Sequence, residues 1–457
     1  FIYIFYLLIP TLYEKTWVQN NIENKLLKEF NINFSISSKI SYEILPSPHF
    51  TLENVKILND KIDYPKEISE IKKLKVFISQ SNFFDRNKLK INKVLISDAN
   101  FTVVADDANF YKDFINNKFS HKKIFIKNSN VFFRKYDNEI ISIFKISKLS
   151  FYLDELNFSN KIDIKAQAFK IPFKLLLSKK FLPNSTQTET KIDVRKLKLN
   201  FLNQSNKKLN NQYNVDGLNS VSVLNSKLIT SYKIKKNLIL FESEESQLKN
   251  RNLKYKGRLN FNPFDLDIDI NLYKLKLSKL MKSNSLLQEL LKTKVLFNEN
   301  ISAKIKININ KDLDNKLFNN AKIIFNINNG KINFNSSILS GSKIGLLKVK
   351  ESDLIFNNNN LILTSNFIID IENHKKFYSF FQTSRNLRKP IKKIFINFDY
   401  NFFDESITLK SFKIDDREPS LIIGEMITSY NNTENNQLKN FIRNKIFFNK
   451  LLTNYDG

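Results

Sequence analysis

With 457 residues and 42% hydrophobic content, the chain is long enough for a substantial core or an elongated, repeat-like body. The absence of cysteine excludes disulfides, zinc–thiolate sites, iron–sulfur clusters and cysteine nucleophiles, and 7 Gly with 9 Pro exclude a collagen-like or low-complexity chain. The formal net charge of +28 suits an anionic surface, but the lysines alternate with apolar residues instead of clustering, which favours a solvated face.

Residues 1–13, FIYIFYLLIPTLY, are uncharged and almost wholly apolar. Because the chain opens on Phe1 and a full span takes about 20 such residues, the run reads as the back half of an amino-terminal transmembrane anchor carrying Ile2, Ile4, Phe5, Leu7 and Leu8. Residues 14–29 follow as a short amphipathic helix, with Trp17, Val18, Ile22, Leu26 and Leu27 near helical spacing. Trp17 suits either a membrane–water interface or ordinary packing.

From residue 30 to about 425 the pattern is strand after strand. Phe34 and Ile36 alternate with polar residues, the bend Pro46-Ser47-Pro48 interrupts the run, and Phe50, Leu52, Val55 and Ile57 resume it. The same period of two recurs at Ile124 and Ile126, at Ile162 and Ile164, at Leu197, Leu199 and Phe201, and at Ile268 and Ile270. It continues at Ile305 and Ile307, at Ile323 and Phe325, and at Ile332 and Phe334. Asn128-Ser129-Asn130 reads as a turn, and Asn329-Gly330 is the strongest hairpin signal in the chain. Segments 203–219 and 244–253 are polar and read as loops. Helices are expected over 281–297, over 375–389 ahead of Pro390, and in the basic amphipathic tail from Gln437 to Leu452.

So many one-sided strands need their dry faces covered. Two solutions exist: paired sheets in a sandwich, or a curled sheet that leaves a channel for something else apolar. No Pro/Gly/Ser-rich linker separates two sandwiches here, so the expected fold is mainly β, a long curved antiparallel sheet forming a hydrophobic groove. The expected divisions are 1–13 anchor, 14–29 amphipathic helix, 30–280 amino-terminal β-groove region, 281–297 linking helix, 298–430 carboxy-terminal β region and 431–457 amphipathic tail. An acyl chain of about 16 carbons would gain about 13 kcal/mol on leaving water for such a channel. The candidate lining residues are Phe34, Ile36, Phe50, Leu52, Ile124, Ile126, Ile162, Ile164, Leu197, Leu199, Ile268, Ile270, Ile305, Ile307, Ile323, Phe325, Ile332 and Phe334.

The unit Ile40-x-Tyr42-x-Ile44-Leu45-Pro46-Ser47-Pro48-x-Phe50-x-Leu52-x-Asn54-Val55-x-Ile57, placed after an anchor and a short helix, resembles the opening of the AsmA family of bacterial envelope proteins. The runs Ile71 to Ser79, Lys90 to Phe101, Lys123 to Phe133 and Asn329 to Ser352 are similar to its later β-units. The resemblance implies an inner-membrane-anchored periplasmic protein related to the bridge-like lipid transfer proteins. It would carry phospholipid acyl chains towards the outer membrane and support outer-membrane homeostasis. A non-catalytic assembly factor with outer-membrane or periplasmic protein partners is the alternative.

An enzyme is not expected. His49, His121 and His374 stand singly, no HExxH, GxSxG, P-loop or GxGxxG occurs, and the lone Gly341-x-x-x-Gly345 is a turn cue. The adjacent carboxylates Asp106-Asp107 and Asp415-Asp416 would point to opposite faces of a strand. No cofactor, metal or nucleic acid is implied: there is no Cys/His finger spacing and no glycine-and-aromatic RNA-binding motif.

Overall fold

The computed structural model describes all residues except 1, 38, 60–65, 105–107, 135–138, 209–213, 274–290, 292–293, 311–316, 342–343, 358–359, 434–439 and 455–457. The protein is mainly β, and among the described residues 24 strands belong to one mixed sheet. The chain divides into two compact units, Phe1–Lys227 and Leu228–Gly457.

The first unit begins with α1 (Ile2–Leu8), a 3-10 turn (Ile9–Leu12) and α2 (Lys15–Phe30). The expected transmembrane anchor is not formed as a span. The first helix with its 3-10 turn covers 11 residues, and among the described residues no helix is long and apolar enough to cross a membrane. Pro10 ends the regular helix, and the segment docks instead: Leu7 and Pro10 are buried, and Tyr42 Oη donates to Leu7 O at 2.8 Å. In α2, Val18, Ile22, Leu26 and Phe30 recur every fourth residue and are all buried, so one helical stripe faces inward. Asn31 ends α2 in the left-handed region (φ 53°), its N–H donating to Leu27 O at 2.8 Å.

The strands of the first unit are β1 (Asn33–Ser35), β2 (Ile40–Glu43), β3 (His49–Asn59), β4 (Lys66–Ile78), β5 (Ile91–Val104), β6 (Lys123–Arg134), β7 (Ile140–Asp154), β8 (Ser159–Ala168), β9 (Ile171–Phe181), β10 (Ser185–Val194), β11 (Leu199–Lys208) and β12 (Asn214–Val223). Neighbours pair antiparallel from β3 to β5 and from β6 to β12. The β5–β6 pair is parallel, with α3 (Ala108–Asn116) in the crossover, so the sheet is mixed and not antiparallel throughout as expected. Asn128 is not in a turn: β6 runs straight through it. Asn54, Asp98 and Asn128 all have positive φ, within β3, β5 and β6. At each the ladder is interrupted on both strands with no shift of register, and apolar positions three apart, such as Leu52 and Val55 or Ile96 and Ala99, are buried on the two sides of the interruption. An Asn with positive φ inside a strand and one in a turn carry the same local signature in sequence.

The second unit holds β14 (Leu238–Leu248), β15 (Arg251–Phe261), β16 (Phe264–Leu272), β17 (Ile301–Ile309), β18 (Asn320–Asn328), β19 (Lys331–Asn333), β20 (Ile338–Gly341), β21 (Gly345–Asn357), β22 (Asn360–Ile371), β23 (Lys393–Asn401) and β24 (Ile407–Ile414), while β13 (Ser226–Lys235) carries the division between the units. The β16–β17 pair is parallel. Asn329 (φ 48°) and Gly330 (φ 71°) join β18 to β19 in a tight two-residue hairpin, as expected. The helices here are α4 (His374–Phe381), α5 (Leu421–Asn431) and α6 (Phe441–Thr453).

Segments 203–219 and 244–253, read as loops, are largely strand: β11, β12, β14 and β15 run through the described parts of them. Their polar side chains conceal a backbone ladder that any residue can join. At 243–246 a bulge adds to the disguise, with Ser246 Oγ accepting from Ile229 N–H at 2.8 Å. The helix expected over 375–389 stops at Phe381 on a left-handed Gln382, followed by a 3-10 turn at Arg385–Leu387. The helix expected over 281–297 lies mostly outside the described residues; Val295–Phe297 is a 3-10 turn. The alternation taken as strand up to residue 425 ends at Ile414, and α5 occupies Leu421–Asn431.

Candidate functional site

Strand register assembles the site. Following direct cross-strand partners, Leu52 faces Leu74, then Ile96, Ile126, Leu149, Ile164, Leu175, Ile192, Phe201 and Val221. This is one apolar row crossing ten consecutive strands, β3 to β12, on a single face of the sheet. Partners in register lie about 5 Å apart, so aliphatic side chains along such a row touch.

The row has two environments. Leu52, Leu74, Ile96 and Ile126 are buried in a core cluster with Val18, Ile22, Leu26 and Phe30 of α2. From Ile164 onward the residues are only half-buried, and they lie outside that cluster. None of Ile164, Leu175, Ile192, Phe201 and Val221 belongs to a hydrophobic cluster among the described residues. The opposite face of these strands is polar, with Lys148, Lys165, Lys174 and Asp193 in register. Polar there and apolar here, the alternation is what a sheet with one wet face requires.

One flank of the strip is aromatic. Phe144 packs 4.9 Å from Phe133 and 6.1 Å from Phe173, ring centre to ring centre. At the other flank stands the end of α3. Asn160 Oδ1 accepts from Phe119 N–H at 2.9 Å, and Asn160 Nδ2 donates to Asn117 O at 2.7 Å. Lys179 Nζ donates to Asn116 Oδ1 at 2.6 Å. Burial, and then the nearby charge of Lys207, push the Lys179 ammonium below its ordinary value.

The expected lining residues divide accordingly. Phe34, Ile36, Phe50, Leu52, Ile124 and Ile126 belong to the sealed core beneath α2. Ile162 packs at the edge of that core, Ile164 and Leu199 sit on the half-buried strip, and Leu197 lies in the 3-10 turn Arg195–Leu197 and is 49% exposed. In the second unit, register aligns Ile268, Ile305 and Phe325 in one row and Ile270, Ile307 and Ile323 in the next. Ile332 is fully buried and Phe334 partly so, in the cluster around Leu291 and Tyr400. Of the anchor residues, Ile2 and Phe5 are 88% and 70% exposed, Ile4 and Leu8 are also exposed, and Leu7 is buried. Trp17 is half-buried on α2, edge-on to Tyr13 at 5.6 Å with Arg86 over its ring at 5.1 Å.

Leu175, Ile192, Val221 and Lys179 were not anticipated from sequence. Leu175-Leu176-Leu177 hides its alternation in a continuous apolar run, and Ile192 and Val221 sit in polar-looking strands. The one available signal was the period of two through 171–181, which puts Lys179 on the face of Leu175.

The remaining polar clusters look structural. His49 is fully buried, stacked 4.8 Å from Phe77, with Nδ1 2.7 Å from Ser47 O and Nε2 3.0 Å from Lys75 Nζ and 3.2 Å from Glu43 Oε2. The Thr51 hydroxyl and the Lys75 ammonium hold the Glu43 carboxyl below its ordinary range. Among the described residues no group of three or more His, Asp and Glu side chains could hold a metal. A scan against protein-family models finds no match to this chain, and a search of curated proteins likewise finds none.

Proposed function

We propose that this protein binds lipid acyl chains along the uncovered apolar strip and carries phospholipid within a bacterial envelope, without catalysing a reaction. The strip from Ile164 to Val221 carries the reading: five aliphatic or aromatic residues in register, half-buried, and outside every hydrophobic cluster among the described residues. Five strands at about 4.8 Å spacing make it roughly 20 Å long, the length of an extended acyl chain of about 16 carbons. A curved groove is the form this surface would take, and the similarity of the Ile40 to Ile57 unit to AsmA-family proteins favours a periplasmic protein held at the inner membrane. The apolar residues that α1 leaves exposed, Ile2, Tyr3, Ile4 and Phe5, suit contact with a membrane.

Native mass spectrometry of the full chain, extracted in mild detergent from bacterial cells, tests the reading. Bound phospholipid is the expected result, lost in Leu175→Asp and in Phe201→Asp. A lipid-free protein that carries a stoichiometric outer-membrane or periplasmic protein would replace this reading with that of an envelope assembly factor.

A further inference from the structure

Along the strand direction the strip changes chemistry, and this would give a bound lipid an orientation. On the face that carries Leu175, β9 continues with Leu177, Lys179 and Phe181. Leu177 faces Ile162 on one side and Thr190 on the other, and Lys179 likewise faces Asn160 and Thr188. Phe181 faces Thr186, which in turn faces Lys207. The surface thus passes from aliphatic, through hydroxyl and amide, to ammonium groups. From Leu175 to Lys179 is four residues, about 13 Å at the rise of an extended strand.

Lys179 is 8% exposed, a rare setting for a lysine without an acidic partner. Its Nζ lies 5.7 Å from the Phe181 ring centre, and Lys118 Nζ lies 5.6 Å from the same ring. Lys207 is near enough for its charge to disfavour the Lys179 ammonium. Among the described residues no carboxylate pairs with Lys179, Lys118 or Lys207. A desolvated ammonium held only by an amide oxygen and a ring face lacks charge compensation, and an anion supplied from outside would provide it.

We propose that Lys179, together with Lys118 and Lys207, receives the phosphate of an acyl-chain lipid whose tail lies on the strip from Ile164 to Val221. The proposal rests on the lipid-binding reading above and adds headgroup class and orientation to it. Three lysines at one flank match a phosphate, which is anionic in mono- and diesters alike and offers several acceptor oxygens.

The test compares 1-oleoyl lysophosphatidic acid with monoolein, which share chain and glycerol and differ in the phosphate, by calorimetric titration of the full chain below the micellar concentration. The phosphate-bearing lipid is expected to bind tighter by roughly tenfold or more, the usual scale of a charge-assisted contact. Lys179→Met, which keeps the aliphatic stem, and Lys207→Met, at an exposed position where misfolding is not at issue, should each lower that preference, with monoolein binding unchanged. Equal affinity for the two lipids, or a preference untouched in both variants, overturns the headgroup assignment and leaves lipid binding standing. Inorganic phosphate that displaces lysophosphatidic acid at equal concentration also overturns it, in favour of a free-anion site. If neither lipid binds, the lipid reading itself fails and this proposal falls with it.

Discussion

The first unit contains a comparison within a single row of side chains. Leu52, Leu74 and Ile96 are core; Leu175, Ile192 and Phe201 are surface, although register places all six on the same face. Residue type does not separate the two groups. The difference is membership of the core cluster: Leu52, Leu74 and Ile96 share it with the buried stripe of α2, whereas Leu175, Ile192 and Phe201 lie outside it. The lesson is that an apolar sheet face becomes a core or a binding surface according to what packs on it. The second unit repeats half of this arrangement: Ile394 and Ile414 are sealed in one cluster with Ile423 and Ile427 of α5 and Leu451 and Leu452 of α6.

The strongest challenge to the comparison is a cavity in the covered part. Leu26→Ala removes a fully buried side chain from α2 and should cost about 3–5 kcal/mol of unfolding free energy, read by urea denaturation. In contrast, Phe201→Ala on the uncovered strip should cost under about 1.5 kcal/mol, because its ring is half-buried and leaves no closed cavity. Equal costs would mean that something also seals the strip. Next in size is Leu175→Asp, for which a loss of lipid binding with a melting temperature close to that of the parent protein is expected; a variant that unfolds would place Leu175 in a core.

The smallest effect concerns how α2 is held down. Glu29 on α2 accepts from Lys122 Nζ at 2.5 Å and also from the Ser120 hydroxyl. Burial pushes its carboxyl up, but the Lys122 and Ser120 hydrogen bonds outweigh this and hold it below the ordinary 4.5. With a depressed folded-state value, the contribution to stability is fully present above pH 4.5 and is lost as pH falls through the depressed value. Glu29→Gln should therefore cost on the order of 1 kcal/mol at pH 7 and make unfolding less sensitive to acid, as measured by denaturation at pH 3 and pH 7. If the pH dependence is unchanged, Glu29 does not secure the covered half.

Much of this architecture is legible in the chain. Ile301 to Ile309 alternates cleanly and is β17; Asn329-Gly330 is a hairpin; Val18, Ile22 and Leu26 mark the inward stripe of α2, although Leu27, read with them, is exposed and Phe30 completes the stripe instead. Each rests on a local rule, a period of 2 or 3.6 or a turn residue with positive φ. Asn128, taken for a turn, shows where such rules stop, because only the neighbouring strands reveal that β6 continues through it. The polar strands around Asn203 and Asn219 are a second case: their backbones pair although their side chains resemble those of a loop.

Residue type and short-range periodicity are enough to establish that the protein is mainly β, that each strand has a dry and a wet side, and that lysine dominates its charge. Which part of the apolar row is closed and which is open, and that Lys179 and Lys207, on different strands, share one flank of it, follow only from the folded arrangement. Register and helix docking depend on contacts between residues far apart in the chain, and no local period encodes which distant face will cover which.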